Sequence, residues 1–169
     1  MSITAMIIHL EDLLEIHRLL LEITERKRGA IVDNEVDILT GYVNQESRLI
    51  KQVTQKDDLW KNEALTFVAA LGLKTNKTYT ITEIMALVDN ETERERLRRV
   101  QSGLLDVIAQ IKKNNAVNEQ LIKQSLAYID YSLDLYTGSF AQESVYENPT
   151  QAKKPDSRSK GAARFDTRA

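Results

Sequence analysis

A continuous amphipathic stretch from Asn90 to Leu135 constrains the fold of this chain more than any other feature. Its apolar residues recur every three or four positions, which places them on one face of a single long helix. Such a face has to be buried against other helices or against a partner, because an isolated helix gains little stability from propensity alone. The apolar positions are Leu97, Val100, Leu104, Val107 or Ile108, Ile111, Leu121 or Ile122, Ile129 and Leu133.

Two further long helical patterns precede this stretch. The first runs from Ile3 to about Arg28 with near-heptad spacing, and the second runs from about Glu35 to Leu71. The second has a regular seam, expected to face the other helices: Val36, Leu39, Val43, Glu46, Ile50, Val53, Asp57, Trp60, Ala64, Phe67 and Leu71. Thr80 and Glu83 form a capping-box pattern that predicts a short helix before the long one.

These patterns together predict an all-α fold. Short connections place successive helices antiparallel, so we expect an antiparallel bundle of three long helices with one short connecting helix. The composition changes after residue 138, where Pro149 and Pro155, the two prolines of the chain, occur and bulky apolar residues become few. We therefore expect a helical domain at 1–138 and a flexible tail, disordered in isolation, at 139–169.

The composition excludes several classes of function. The chain has no Cys, which rules out disulfides, thiolate metal sites and a Cys nucleophile, and its net charge of −2 offers no global excess of positive charge to hold nucleic acid. The N-terminus shows no basic segment followed by an apolar run, and the chain has no run of about 18 apolar residues. We expect a cytoplasmic protein that binds no nucleic acid and does not insert into a membrane.

No residue pattern indicates catalysis. His9 and His17 lie on roughly the same side of the first helix without a carboxylate cluster, so His17 is interpreted as a polar residue tolerated in the seam. Glu46 and Asp57 would lie about 16 Å apart along a helix, too far to share a substrate atom, and are interpreted as a solvated flank or as register-setting polar residues. We expect no enzymatic activity, no cofactor and no bound metal.

Polar residues interrupt the long helix before its last apolar part. Asn114, Asn115 and Asn118 occupy positions where apolar residues would be expected, and they either fix the helix register or mark the point where the bundle opens. The apolar residues beyond them belong to the core of the bundle or of a dimer, or they form a face for an amphipathic partner helix. These residues are Leu121, Ile122, Leu126, Tyr128, Ile129, Tyr131, Leu133 and Tyr136.

Several motifs are shared with a known family. They include an N-terminal helix with paired leucines (LEDLLEIHRLLLEITERKRGAI), an acidic turn (VDNEVDIL), a second helix containing NQESRLIK and, most strongly, the pattern N-N-x-x-N-x-x-L-I-x-x-S-L-x-Y from Asn114 to Tyr128. Tyr146 after the last helix and the terminal Phe165 to Ala169 add to the match. With these motifs the chain resembles the FlgN family of flagellar type III export chaperones, as found in Gram-positive bacteria.

The resemblance implies a cytoplasmic, non-enzymatic chaperone. Such chaperones bind the hook-filament junction proteins FlgK and FlgL through C-terminal helical segments, prevent their premature assembly and deliver them to the export gate. A Tyr near the C-terminus, here Tyr146, is implied in docking to the gate component FlhA. Asn115 and Asn118 would bond the client backbone or set its register. The client face would consist of Leu121, Ile122, Ser125, Leu126, Ile129 and Leu133.

Two other classes of function remain as alternatives. The first is a structural or adaptor protein that homodimerises as a coiled coil through the same face, and the second is a four-helix-bundle metal enzyme. A fall in mass on dilution, with no effect of a FlgK-like peptide, would favour the first class. Metal analysis of the purified protein tests the second.

Overall fold

The computed structural model describes residues 3–137, which form four α-helices. They are α1 (Ile3–Val32), α2 (Val36–Ala70), α3 (Ile81–Leu87) and α4 (Glu91–Thr137). Residues 3–137 contain no strand, and the prediction of an all-α fold with three long helices and one short helix is confirmed. The predicted tail at 139–169, including Tyr146, lies outside the described residues.

The chain divides into two compact units, Met1–Tyr128 and Ile129–Ala169. The first unit contains α1, α2, α3 and α4 as far as Tyr128. Of the second unit, the structure describes Ile129–Thr137, which form the last turns of α4.

Local signals set most helix ends as the sequence predicts. Gly72 has a φ of 73°, a conformation that glycine adopts without steric cost, and its backbone N–H donates to Ala69 O at the end of α2. Thr80 and Glu83 form the predicted capping box at the start of α3. The side-chain oxygen of Asn90 accepts a hydrogen bond from the backbone N–H of Thr92 at 2.9 Å and thereby caps α4.

The connection between α1 and α2 differs from the expected one. Helix α1 continues to Val32, one turn beyond its predicted end, and Asn34 adopts a φ of 57° in the turn. The N-cap of α2 is Glu35, which makes no side-chain capping bond. Asn34 serves as the left-handed turn residue between the two helices.

Ion pairs show the directions in which the long helices run. Lys56 on α2 pairs with Asp12 at 2.6 Å and Glu46 pairs with Lys27 at 2.8 Å, so α2 runs antiparallel to α1. Helix α4 runs parallel to α1, since Arg96 pairs with Glu11 near the start of both helices and Asn114 bonds Thr24 further along. The side chains of Lys27 and Glu46 are mostly buried, which favours a register-setting role for Glu46.

The apolar core of the first unit lies near α3. Helix α4 approaches α1 closely there, because a Cβ built on Gly103 would lie only 3.0 Å from Leu14 Cδ2. The largest fully buried apolar side chains are Met6, Ile7 and Leu10 of α1, Val68 of α2, Ile84 of α3 and Leu97 of α4. In α2 the buried residues are Trp60, Ala64 and Val68, all in its second half. The first half of α2 is therefore much less covered than the second.

Candidate functional site

A cluster of hydrogen-bonded polar side chains joins α1 to α4 where the apolar core ends. The hydroxyl of Thr24 donates to Leu21 O at 2.7 Å and accepts from Asn114 Nδ2 at 3.1 Å. Asn118 Nδ2 donates to Thr24 O at 2.8 Å, and Arg28 Nη2 donates to Asn114 Oδ1 at 2.8 Å. We call Thr24, Arg28, Asn114 and Asn118 the polar layer. Its bonds fix the register of α4 on α1 at this level.

The polar layer separates the three Asn residues that the sequence groups together. Asn118 is only 4% exposed and its amide faces α1, so it lies inside the helix interface and does not contact solvent. Asn115 is exposed. This buried position fits the role in helix register that the sequence interpretation gave as one of the two alternatives for these Asn residues.

The polar layer also holds two incompletely bonded groups. Arg28 Nε and Asn118 Oδ1 are buried and have no hydrogen-bond partner among the described residues. A buried polar atom without a partner costs about 1–3 kcal/mol relative to a satisfied one. The α1–α4 contact at this level is therefore specific but weaker than the apolar packing nearer α3.

Beyond the polar layer, α4 exposes apolar side chains in the first unit. Leu121 and Ser125 are half-buried, whereas Ile122, Leu126 and Tyr128 are exposed. Thr24 of α1 bonds Asn114 of α4, so a residue of α1 lies at about the level of the α4 residue numbered 90 higher. Val32, the last residue of α1, therefore lies at about the level of Ile122. Helix α1 consequently ends where the exposed part of α4 begins, so α1 does not cover the apolar residues of α4 beyond this level.

The described part of the second unit is also rich in exposed apolar side chains. Ile129 and Leu133, both predicted site residues, are exposed. So are Tyr131, Leu135 and Tyr136. Isolated exposed apolar residues are ordinary on protein surfaces, but a recurring series on one helix is typical of a surface that binds a partner.

Three exposed apolar residues of α2 were missed as candidates by the sequence interpretation. Val36, Val43 and Ile50 were expected to lie buried in the seam of α2, and they are exposed. The sequence of α2 does not separate the exposed part from the buried part, because the seam has apolar residues on both sides of Asp57.

The described residues show little that fits other chemistry. Residues 3–137 contain no group of three or more His, Asp or Glu side chains placed to hold a metal ion. His17 Nδ1 lies 2.7 Å from Leu13 O and is engaged by its own helix. Among the described helices, none is both long enough and apolar enough to cross a membrane.

The fold and the exposed part of α4 define a class of protein. A helical bundle in which one long helix leaves its apolar side uncovered is typical of proteins that bind the helices of other proteins. The family model "FlgN protein" matches residues 1–154, and the chain belongs to this family. FlgN proteins are flagellar export chaperones, and the family is not a family of enzymes.

A relative from Bacillus subtilis (strain 168) supports the assignment. The chain is 30% identical to it over 135 residues, which cover 80% of this chain and 81% of the relative. That protein carries the description "Uncharacterized protein YvyG". No solved structure matches the chain.

Proposed function

We propose that this chain is a cytoplasmic, non-enzymatic export chaperone for the hook-filament junction proteins FlgK and FlgL. It binds the C-terminal helical segments of these clients, prevents their premature assembly and delivers them to the export gate. The observation that supports this function is the series of exposed apolar side chains on α4 beyond Asn118, in a member of an export chaperone family.

The physical basis of the proposed activity is the burial of two complementary apolar surfaces. A client segment that polymerises has an apolar stripe of its own, and this stripe aggregates when it is exposed. Burial stabilises by roughly 25 cal/mol per Å² of apolar surface removed from water. Binding the client stripe on α4 therefore protects both proteins and requires no nucleotide hydrolysis.

The proposed client face keeps most of the residues that the resemblance implies. In the first unit the proposed client contacts are Leu121, Ile122, Ser125 and Leu126. In the second unit, taken by itself, they are Ile129 and Leu133. Asn115 lies beside this face and can bond the client. Asn118 has an indirect role, since its bond to α1 holds α4 in place. Tyr146, outside the described residues, is proposed to dock on FlhA.

The function is tested by replacing Leu126 and Ile129 together with Asp. Both side chains are exposed, so we expect the fold to persist while the charges abolish binding of the client stripe. The measurement is calorimetric titration of the full chain with the C-terminal segment of a FlgK-type protein. The wild-type chain should bind one to one with a negative heat-capacity change, because apolar surface is buried.

A matched control places the same charges elsewhere. Ile8 and Leu19 of α1 are similarly exposed, and the double variant I8D/L19D should bind the client like the wild type. Equal binding by L126D/I129D would show that the face is misplaced. If the folded wild-type chain gives no heat at any temperature and its mass falls on dilution, the chain is a self-associating bundle and the chaperone proposal fails.

A further inference from the structure

One stripe of α2 is buried at one end of the helix and exposed at the other. Val36, Val43 and Ile50 follow one another at seven-residue steps and are 63%, 45% and 52% exposed. The next members are Asp57 and Ala64, and Ala64 is 2% exposed in the core. Because residues seven apart share a helix face, the side of α2 that faces the core near α3 faces solvent further along.

A stripe of α4 changes in the same way. Gln101 Nε2 donates to Thr82 Oγ1 on α3 at 2.6 Å, so this side of α4 faces α3. Ile108, seven residues later, packs against the core. Asn115 and Ile122 continue the stripe, and both are exposed. The covered part of α4 therefore ends between Ile108 and Asn115 on this side.

The exposed parts of the two stripes lie at the same height along α1. Lys27 of α1 forms an ion pair with Glu46 of α2, and the next residue, Arg28, donates a hydrogen bond to Asn114 of α4. Val43 lies one turn from Glu46, and Asn115 is adjacent to Asn114. We call the space between these two exposed stripes, at the level of the buried Thr24 and Ile31 of α1, the groove.

The exposed stripe of α2 consists of apolar side chains, and the hydroxyl residues beside it already donate hydrogen bonds within the helix. Four residues after each member of the stripe comes a hydroxyl residue whose Oγ donates to the backbone oxygen of that member. Thr40 bonds Val36 O at 2.9 Å, Ser47 bonds Val43 O at 3.0 Å, and Thr54 bonds Ile50 O at 3.2 Å. A surface whose polar groups are already satisfied suits an apolar helix face and not a polar small molecule.

We infer that α2 supplies the second wall of the client site. An amphipathic helix of the export client packs between the stripe Val36, Val43 and Ile50 on α2 and the stripe Asn115 and Ile122 on α4. The occupant has to provide apolar helix surface, because the same α2 stripe is covered by other helices near α3. From Val36 to Thr54 the wall is about 28 Å long, which accommodates roughly five turns of client helix. This inference rests on the proposed function.

The test compares two pairs of substitutions on α2. V43E/I50E places charges in the groove, whereas I38E/L59E places them at positions that are 46% and 44% exposed on another side of the same helix. Calorimetric titration with the FlgK-type C-terminal segment should give at least tenfold weaker binding for V43E/I50E. The control pair should stay within twofold of the wild type. Circular dichroism checks that both variants keep their helices.

The possible results separate this inference from the proposed function. Normal client binding by V43E/I50E, with binding also seen for the wild type, would overturn the α2 wall and leave the chaperone function intact. Absence of wild-type binding would remove both. If V43E/I50E instead abolishes self-association without changing client affinity, the groove takes a second copy of this chain and the inference is wrong. Should the Glu pair reduce helicity, V43T/I50T, which retains the branched shape, is compared with I38T/L59T instead.

Discussion

The two ends of the Met1–Tyr128 unit use the same three long helices in different ways. Near α3, the helices bury a continuous apolar cluster that includes Leu97, Val68 and Ile84. Beyond the polar layer, Ala30 and Ile31 of α1 remain buried while α2 and α4 expose apolar stripes. We refer to these regions as the closed end and the open end. The difference lies in the presence of α3 and in the close approach of α4 to α1 at Gly103.

The comparison shows how one fold provides both stability and a binding surface. Apolar burial at the closed end stabilises the unit, whereas the polar layer fixes the register of α4 on α1 and contains two buried polar atoms without partners among the described residues. Helix α4 is therefore held in a defined position at the open end without its apolar stripe being covered. In the proposed complex, a partner helix that fills the groove supplies further apolar burial at this end.

The largest expected difference between the two ends is in how far the free energy of unfolding falls when a leucine of α4 is replaced with alanine. Leu97 is fully buried at the closed end and Leu126 is exposed. L97A should lower the free energy of unfolding by about 2–5 kcal/mol, since a cavity forms in the core. L126A should change it by about 0.5 kcal/mol or less. Urea denaturation followed by circular dichroism measures both, each variant being the control for the other.

One result would contradict the exposure of Leu126. Equal destabilisation by L97A and L126A, measured at unchanged denaturant slope, would mean that Leu126 is buried in solution. The open end would then be covered by another part of the chain or by a second copy, and the proposed client face would be occupied in the free protein.

Most of the fold is predictable from the sequence because its signals are local. The three-four spacing of apolar residues, the capping box of Thr80 and Glu83 and the stop at Gly72 each depend on a few neighbouring residues. The turn between α1 and α2 is predicted less well, since Asp33, Asn34 and Glu35 are all polar residues suited to a turn. Which of them adopts the left-handed conformation depends on the packing of α1 against α2.

The site is only partly predictable because exposure is a tertiary property. The apolar end of α4 follows from its sequence, but the exposure of Val43 and Ile50 depends on where α4 lies relative to α2. The three Asn residues of α4 have the same side chain, and one step around the helix separates the exposed Asn115 from its bonded neighbour Asn114. The sequence indicates that the burial of α4 changes at this level, but it does not show which Asn faces α1.

A smaller effect is expected from removing single amides at the boundary between the two ends. N118A deletes the bond to Thr24 O and leaves a buried carbonyl without this partner. It should lower the free energy of unfolding by about 1–3 kcal/mol. N115A removes an exposed amide of the same helix and should change it by no more than about 0.5 kcal/mol. Chemical denaturation of the two variants distinguishes a register-setting side chain from a surface one.

The same pair of variants also separates structure from client binding. N115A, which leaves stability unchanged, should weaken the client complex if Asn115 bonds the client backbone. A large loss of stability in N115A, or none in N118A, would contradict the assignment of Asn118 to the polar layer.

The smallest expected effect concerns two carboxylates, one at each end of the unit. At the closed end, hydrogen bonds from Lys77 and then from the backbone N–H and hydroxyl of Thr80 lower the pKa of Glu83 from 4.5 to about 2. At the open end, a hydrogen bond from Lys123 also lowers the pKa of Glu119. Carbon-detected NMR titration should therefore give Glu83 the lower midpoint of the two.

The sign of the linked stability follows from the direction of these pKa shifts. A carboxyl group whose pKa is lower in the folded state stabilises that state fully above its unfolded pKa, and this contribution disappears as the pH falls through the folded pKa. The stability difference between the wild type and E83Q should therefore shrink from about pH 4.5 and vanish near pH 2. A Glu83 midpoint at 4.5 would show that the capping box is not formed in solution. Ile84 and Val88 are buried and carry no titratable group, so their apolar burial does not itself change when Glu83 is protonated.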